Sequence, residues 1–209
     1  MPTQLNLPGF APEAPRAMPP VVKPQGTQGF KHKLFFAIFP AAEEAERIHL
    51  RAEGLRQQHR LTEGLIEAER LHITLHMLGN YADLIPDEHI ETAVQVAARV
   101  QAQSFEVELD HALSLQRNGA FVLSDTKRES PFTNFRCDLV RALIQHGFSN
   151  HPRGTPHMTL LYSRHHRVAE EAIRPIRFLV QHFSLIHSHT GKHRYEELGR
   201  WNLSPDSRP

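Results

Sequence analysis

The stretch Arg70 to Leu78, RLHITLHML, closed by Gly79-Asn80, alternates too tightly for a helix and carries the β-branched pair Ile73 and Thr74. It reads as a strand. A second strand-like run, His157 to Ser163 (HMTLLYS), repeats its pattern 85 residues further on, so that His-x-Thr-Leu occurs at His72-Ile73-Thr74-Leu75 and again at His157-Met158-Thr159-Leu160. Residues i and i+2 of a strand share a face. Each motif therefore sets an imidazole beside a hydroxyl, while Ile73, Leu75, Met158 and Leu160 turn to apolar packing.

Matching contexts surround the two copies. Ahead of the first lies Lys33 to Phe39 (KLFFAIF), a short aromatic run closed by Pro40 and read as a strand, then a helix with Ala45, Ile48, Ala52 and Leu55 on one face. Glu43, Glu44 and Glu46 near its start and Arg51 and Arg56 near its end suit the helix dipole. Ahead of the second copy lies a strand at Ala120 to Ser124 and a helix from about Pro131 with Phe132, Phe135, Leu139 and Leu143 on one face. Between them, Pro86-Asp87-Glu88 opens a helix through about residue 102 with Ile90, Val94 and Ala97 as its apolar face, and Phe105, Val107 and Leu109 alternate as a strand. A short helical stretch near Val168 to Ile173, a strand through Arg177 to His187, and a strand around Tyr195 to Leu203 complete the reading. The order strand, helix, strand, helix, strand thus occurs twice, which predicts an internal duplication about a pseudo-twofold axis.

Residues 1 to 30 hold seven of the 15 prolines and show no periodicity, so they are expected to form a disordered tail, with a second tail at 206 to 209 and one folded domain from 31 to 205. A chain of 209 residues with 24 Lys plus Arg against 23 Asp plus Glu has no charge excess to drive duplex DNA binding. No apolar run approaches the length that spans a bilayer, and no secretory signal opens the chain. The single Cys137 excludes an intramolecular disulfide and any multi-cysteine zinc site, and lies off the apolar face of its helix without a catalytic signature. A cytoplasmic monomer is the expectation. No Gly-x-Gly, no P-loop and no Gly-x-Ser-x-Gly is present.

If the two halves pack about a pseudo-twofold axis, two imidazoles and two hydroxyls converge. Cleaving a phosphodiester with water needs one group to accept the water proton and another to protonate the departing alkoxide, and histidine suits both tasks near neutral pH. The threonine hydroxyls would bond non-bridging phosphate oxygens. The scheme predicts a bell-shaped pH profile belonging to the pair, and asks for no metal and no cofactor. A strained five-membered cyclic phosphate is the substrate it would handle most readily.

LHITLHMLG and PHMTLLYS resemble the 2H phosphoesterase superfamily, in its branch of 2′-5′ RNA ligases and RNA 2′,3′-cyclic phosphodiesterases. The opening LFFAIFP resembles that family's first strand, and Phe183 to Ser188 with Tyr195, Leu198, Trp201 and Leu203 its closing hairpin, so the likeness spans about Lys31 to Leu203. It implies an α+β fold of two antiparallel-sheet-plus-helix lobes, related by the pseudo-twofold axis and flanking a central cleft. It implies hydrolysis of RNA or nucleotide 2′,3′-cyclic phosphates to 2′-phosphomonoesters, with reversible 2′-5′ ligation in some relatives. By the same carry-over His72 would donate a proton to the leaving 3′-oxygen, His157 would activate water, and Thr74 and Thr159 would hold the phosphate.

Bacterial relatives often carry arginine five residues after the second histidine, where this chain has Tyr162. Arg153 or Arg164 could compensate, or Tyr162 could itself bond a phosphate or stack on a base. Equally, Tyr162 is out of phase with His157 and Thr159 and would then pack between sheet and helix. His76 is in phase with His72 and Thr74 and so could line the cleft, or simply face solvent. Among the 16 histidines, His187, His189 and His193 (HSHTGKH) form a competing metal-binding cluster, while His165-His166 reads as exposed loop. A third alternative is a module that binds RNA ends or nucleotides without turnover.

Overall fold

The computed structural model describes residues 29–127, 129–149, 155–163, 165–192 and 194–205. Both expected tails, apart from 29 and 30 at the inner margin of the first, lie outside the described residues. The element order is β1 (His32–Ile38), α1 (Ala42–Gln58), β2 (Ile73–Tyr81), α2 (Asp87–Ala97), β3 (Phe105–Ser114), β4 (Ala120–Ser124), α3 (Pro131–Gln145), β5 (His157–Tyr162), β6 (Glu171–Val180), β7 (His182–His189) and β8 (Arg194–Asn202). The fold is α+β, as expected. Its strands form one eight-stranded sheet in the order β6-β3-β4-β5-β2-β1-β7-β8, with every pair of neighbouring strands antiparallel. The duplicated strand–helix–strand units β1-α1-β2 and β4-α3-β5 fall in different halves of this sheet, and their last strands, β2 and β5, meet at its centre. There the halves share one registered pair, Ile73 opposite Met158.

One face of the sheet carries the core. Ile48, Ala52 and Leu55 of α1, Ala93, Val96 and Ala97 of α2, and Phe132, Phe135, Leu139 and Leu143 of α3 pack with Leu34, Phe36, Ile38, Phe121, Leu123, Leu160 and Phe183 of the strands. The faces predicted for α1 and α3 are the buried ones. Ser130 caps α3, its hydroxyl accepting from the Thr133 N–H at 3.1 Å, and Pro131 occupies the first turn, where no N–H is needed. An aromatic contact ties the halves together, with Phe135 and Phe183 centroids 5.2 Å apart. No helix among the described residues is long and apolar enough to cross a membrane.

Two expectations change. The segment near Val168 to Ile173 is not helical: it runs into β6, an edge strand that accommodates Pro175 at a break in register between Ile176 and Ala172. Proline lacks the ladder donor, and an edge or bulge is where a sheet tolerates that. The single strand expected from Arg177 to His187 is two strands that break at Gln181, β6 pairing with β3 and β7 with β1. The alternation runs through without a turn residue, so only pairing partners reveal the break.

Gly119, at φ +70°, precedes β4, and its carbonyl accepts the Ser163 N–H at 2.9 Å. A Cβ there would stand 2.1 Å from the Ser163 carbonyl oxygen. Gly119→Ala is therefore expected to destabilise the fold by about 1–3 kcal/mol, read as a lower urea midpoint; an unchanged midpoint would refute the strain.

Candidate active site

The two His-x-Thr motifs lie on the sheet face away from the helices, on the neighbouring central strands β2 and β5, with His72 directly before the first residue of β2. With Ile73 opposite Met158, antiparallel alternation sets His72 across from Thr159 and Thr74 across from His157. Opposed residues of this kind have Cα atoms about 4.5–5.5 Å apart. The sequence predicted that each histidine shares a strand face with its own threonine; the pairing of β2 with β5 sets the two motifs side by side.

A local device repeats with the motif. The ladder of β1 on β2 passes from Ala37–Thr74 to Phe36–His76, skipping Leu75, and that of β4 on β5 passes from Val122–Thr159 to Phe121–Leu161, skipping Leu160. Each leucine after the threonine is thus a bulge residue, and each bulge resets which face the following residues occupy. The Leu75 carbonyl accepts from Arg136 Nε of α3 at 2.9 Å, and the Leu160 carbonyl from the Ile66 N–H at 2.7 Å. Both bulges are therefore tied into the core side.

The bulges decide two of the ambiguous residues. His76 is not beside His72 and Thr74: it pairs with core-facing Phe36, is only 2% exposed, and its Nε2 donates to the Ser149 carbonyl at 3.2 Å. Neither lining the cleft nor facing solvent describes it. Tyr162 shifts the other way. The Leu160 bulge returns it to the face of His157 and Thr159, where it is 55% exposed. It does not pack between sheet and helix. Arg153, Arg164 and His193 lie outside the described residues.

Backbone carbonyls orient both imidazoles in the same way. His72 Nδ1 donates to the Arg70 carbonyl and His157 Nδ1 to the Thr155 carbonyl, each at 2.8 Å and each two residues back along the chain. This fixes the tautomer, so that Nε2 is the proton-exchanging nitrogen of both rings. His72 sits in an aromatic setting, stacked on Phe35 with centroids 5.5 Å apart, 5.6 Å from Phe39 and edge-on to Tyr195 at 5.5 Å. The Arg70 guanidinium lies 5.0 Å above the Tyr195 ring. Periodicity missed Phe35, Phe39 and Tyr195 as neighbours of the site, because their proximity comes from strand order.

Burial pushes the His72 imidazole below its ordinary value, and the charges of Arg70 and His157 push it the same way, against the Arg70 carbonyl. A histidine with a depressed folded pKa leaves its stabilising contribution intact above about pH 6.5, the unfolded value. As pH falls below that, the unfolded chain takes up the proton first and stability declines until the folded pKa is passed. The urea midpoint is accordingly expected to fall between pH 7.5 and 5, less steeply in His72→Gln than in the wild type. Equal slopes would count against a depressed His72.

Among known proteins, the family model described as the 2′-5′ RNA ligase superfamily matches residues 40–192. The chain belongs to the 2′-5′ RNA ligase superfamily. Solved structures similar to this member include E. coli LigT complexed with ATP, at 26% identity and TM-score 0.64, covering 83% of this chain and 98% of that one. E. coli LigT complexed with 3′-AMP matches at 26% identity and TM-score 0.66, covering 82% and 98%. A structure titled a phosphoesterase matches at 27% identity and TM-score 0.66, covering 83% and 99%. Curated proteins give no match to this chain. Superfamily membership agrees with an enzyme acting on phosphate esters.

Proposed function

We propose that this 2′-5′ RNA ligase superfamily member hydrolyses 2′,3′-cyclic phosphates of RNA ends or nucleotides to 2′-phosphomonoesters. The observation that carries the reading is the matched pair of imidazoles, each with Nδ1 held by the carbonyl two residues back and each with a threonine on its strand face. Water attacks phosphorus in line with the 3′-oxygen. As the new P–O bond forms, His157 Nε2 takes the water proton; as the P–O3′ bond breaks, His72 Nε2 gives its proton to the departing oxygen. Thr74 and Thr159 donate to the non-bridging oxygens, where charge accumulates.

Burial, which lowers the His72 pKa in the free protein, opposes this acid role until substrate binds. A phosphodiester anion beside the ring favours the charged imidazolium and opposes the desolvation that depresses it in the free protein. With a 5′-hydroxyl in place of water, the same displacement forms a 2′-5′ linkage, which is the activity in the superfamily's name. Tyr162, exposed on the same face, would stack on the base of the terminal nucleotide. E. coli LigT has been crystallised with 3′-AMP and with ATP, which supports a nucleotide-bearing substrate.

The direct test incubates RNA ending in a 2′,3′-cyclic phosphate with the protein, with and without EDTA, and identifies the product. A 2′-phosphate formed equally in both is the expected result. A 3′-phosphate, or loss of activity in EDTA, would overturn the two-histidine scheme. RNA binding without product would favour the non-catalytic module.

A further inference from the structure

We infer that the end of the β1–β7 strand pair carries a binding site for one divalent transition-metal ion of the zinc class, held by His32, His187 and His189 and oriented by Glu196. One ring nitrogen from each histidine lies within 4.8 Å of the other two. His32 Nδ1 and His187 Nε2 are 2.8 Å apart, close enough that neutral rings share a single proton between them. A metal replaces that proton. Zinc–imidazole bonds of about 2.0–2.1 Å place tetrahedral ligand atoms roughly 3.3 Å apart, which small side-chain rotations reach from the spacing present.

Glu196 supplies the second requirement. Its Oε2 lies 3.6 Å from His187 Nδ1 and 3.3 Å from His189 Nε2. A carboxylate against a ligating imidazole fixes its tautomer and raises its basicity. Three imidazoles without a thiolate suit zinc, copper(II) or nickel(II) and not magnesium or calcium. All three rings are half-buried, so a water or small anion can reach a fourth position. The sequence alone set His187 and His189 beside His193. The register of β1 on β7, His32 opposite His189 and Leu34 opposite His187, brings to that pair a residue 155 positions away from His187.

This site is separate from the His-x-Thr face. Phe35 and Ile186 pack together with Tyr195 on that face, so His32, Leu34, His187 and His189, alternating with them, belong to the opposite one. A bound ion would cross-link β1 to β7 without touching His72 or His157.

The test uses the full chain without an oligohistidine tag, titrated with cobalt(II) and then zinc(II). One equivalent of cobalt is expected to give the visible absorption of a low-coordinate nitrogen site, displaced by zinc, and zinc is expected to raise the melting temperature. His32→Ala and His187→Ala should each weaken zinc binding by about 100-fold or more and Glu196→Gln by about 10–100-fold. His165→Ala, on an exposed loop, should leave it unchanged. Absence of saturable one-to-one binding overturns the inference. Wild-type affinity in both histidine variants does so too, by locating the metal elsewhere among the 16 histidines, and wild-type affinity in Glu196→Gln removes the orienting carboxylate.

Discussion

Replacing either His72 or His157 by alanine is expected to lower kcat/KM for a 2′,3′-cyclic phosphate by about 10²–10⁴-fold, the usual contribution of a positioned acid or base. That corresponds to roughly 3–5.5 kcal/mol of transition-state stabilisation. The double variant should lose little more than the worse single one, since a proton donor without its acceptor partner no longer completes the displacement. His72→Ala also removes a ring that packs on Phe35, Phe39 and Tyr195. His72→Gln fills more of that space without restoring an acid, so equal inactivity in the two separates chemistry from packing. His157, whose ring bonds the Thr155 carbonyl alone among the described residues, should fold normally as alanine. Wild-type turnover in either single variant would end the two-histidine mechanism.

The second large effect concerns the hydroxyls. Thr74→Val and Thr159→Val keep shape and β-branching while deleting one donor each, and each is expected to lower kcat by about 10²–10³-fold, the cost of one lost oxyanion donor. Serine at either position should recover most of the rate, because it returns the hydroxyl. If valine instead raises KM with kcat untouched, the threonines bind ground-state and transition-state phosphate alike. The strand register ties each threonine to the opposite histidine, Thr159 to His72 and Thr74 to His157. Coupling in double-mutant cycles should therefore be strong across the strands as well as along them.

Much of the framework is written locally. The buried positions of α1, namely Ala45, Ile48, Ala52 and Leu55, are the residues that 3.6-fold spacing selects, and Phe132, Phe135, Leu139 and Leu143 of α3 follow the same rule. α2 keeps the spacing but turns its face: His89, Ala93, Val96 and Ala97 are buried, so of the expected Ile90, Val94 and Ala97 only Ala97 is fully buried. The Tyr81 hydroxyl bonds His89 Nδ1 at 2.8 Å inside the core, which makes a histidine count as a buried residue. No scale of single-residue hydrophobicity contains that partner.

The sequence by itself determined the paired His-x-Thr strands, because period-two alternation is a property of the extended chain and needs no neighbour. It likewise determined the helices that repeat before each of them, through apolar spacing and end residues. Only the tertiary structure decided that β2 and β5 lie side by side, that bulges at Leu75 and Leu160 turn His76 inward and Tyr162 outward, and that His32 joins His187 and His189. Strand order, bulges and long-range histidine contacts depend on which backbone groups pair across the sheet. That pairing is set by residues far apart in the chain, and no local period records it.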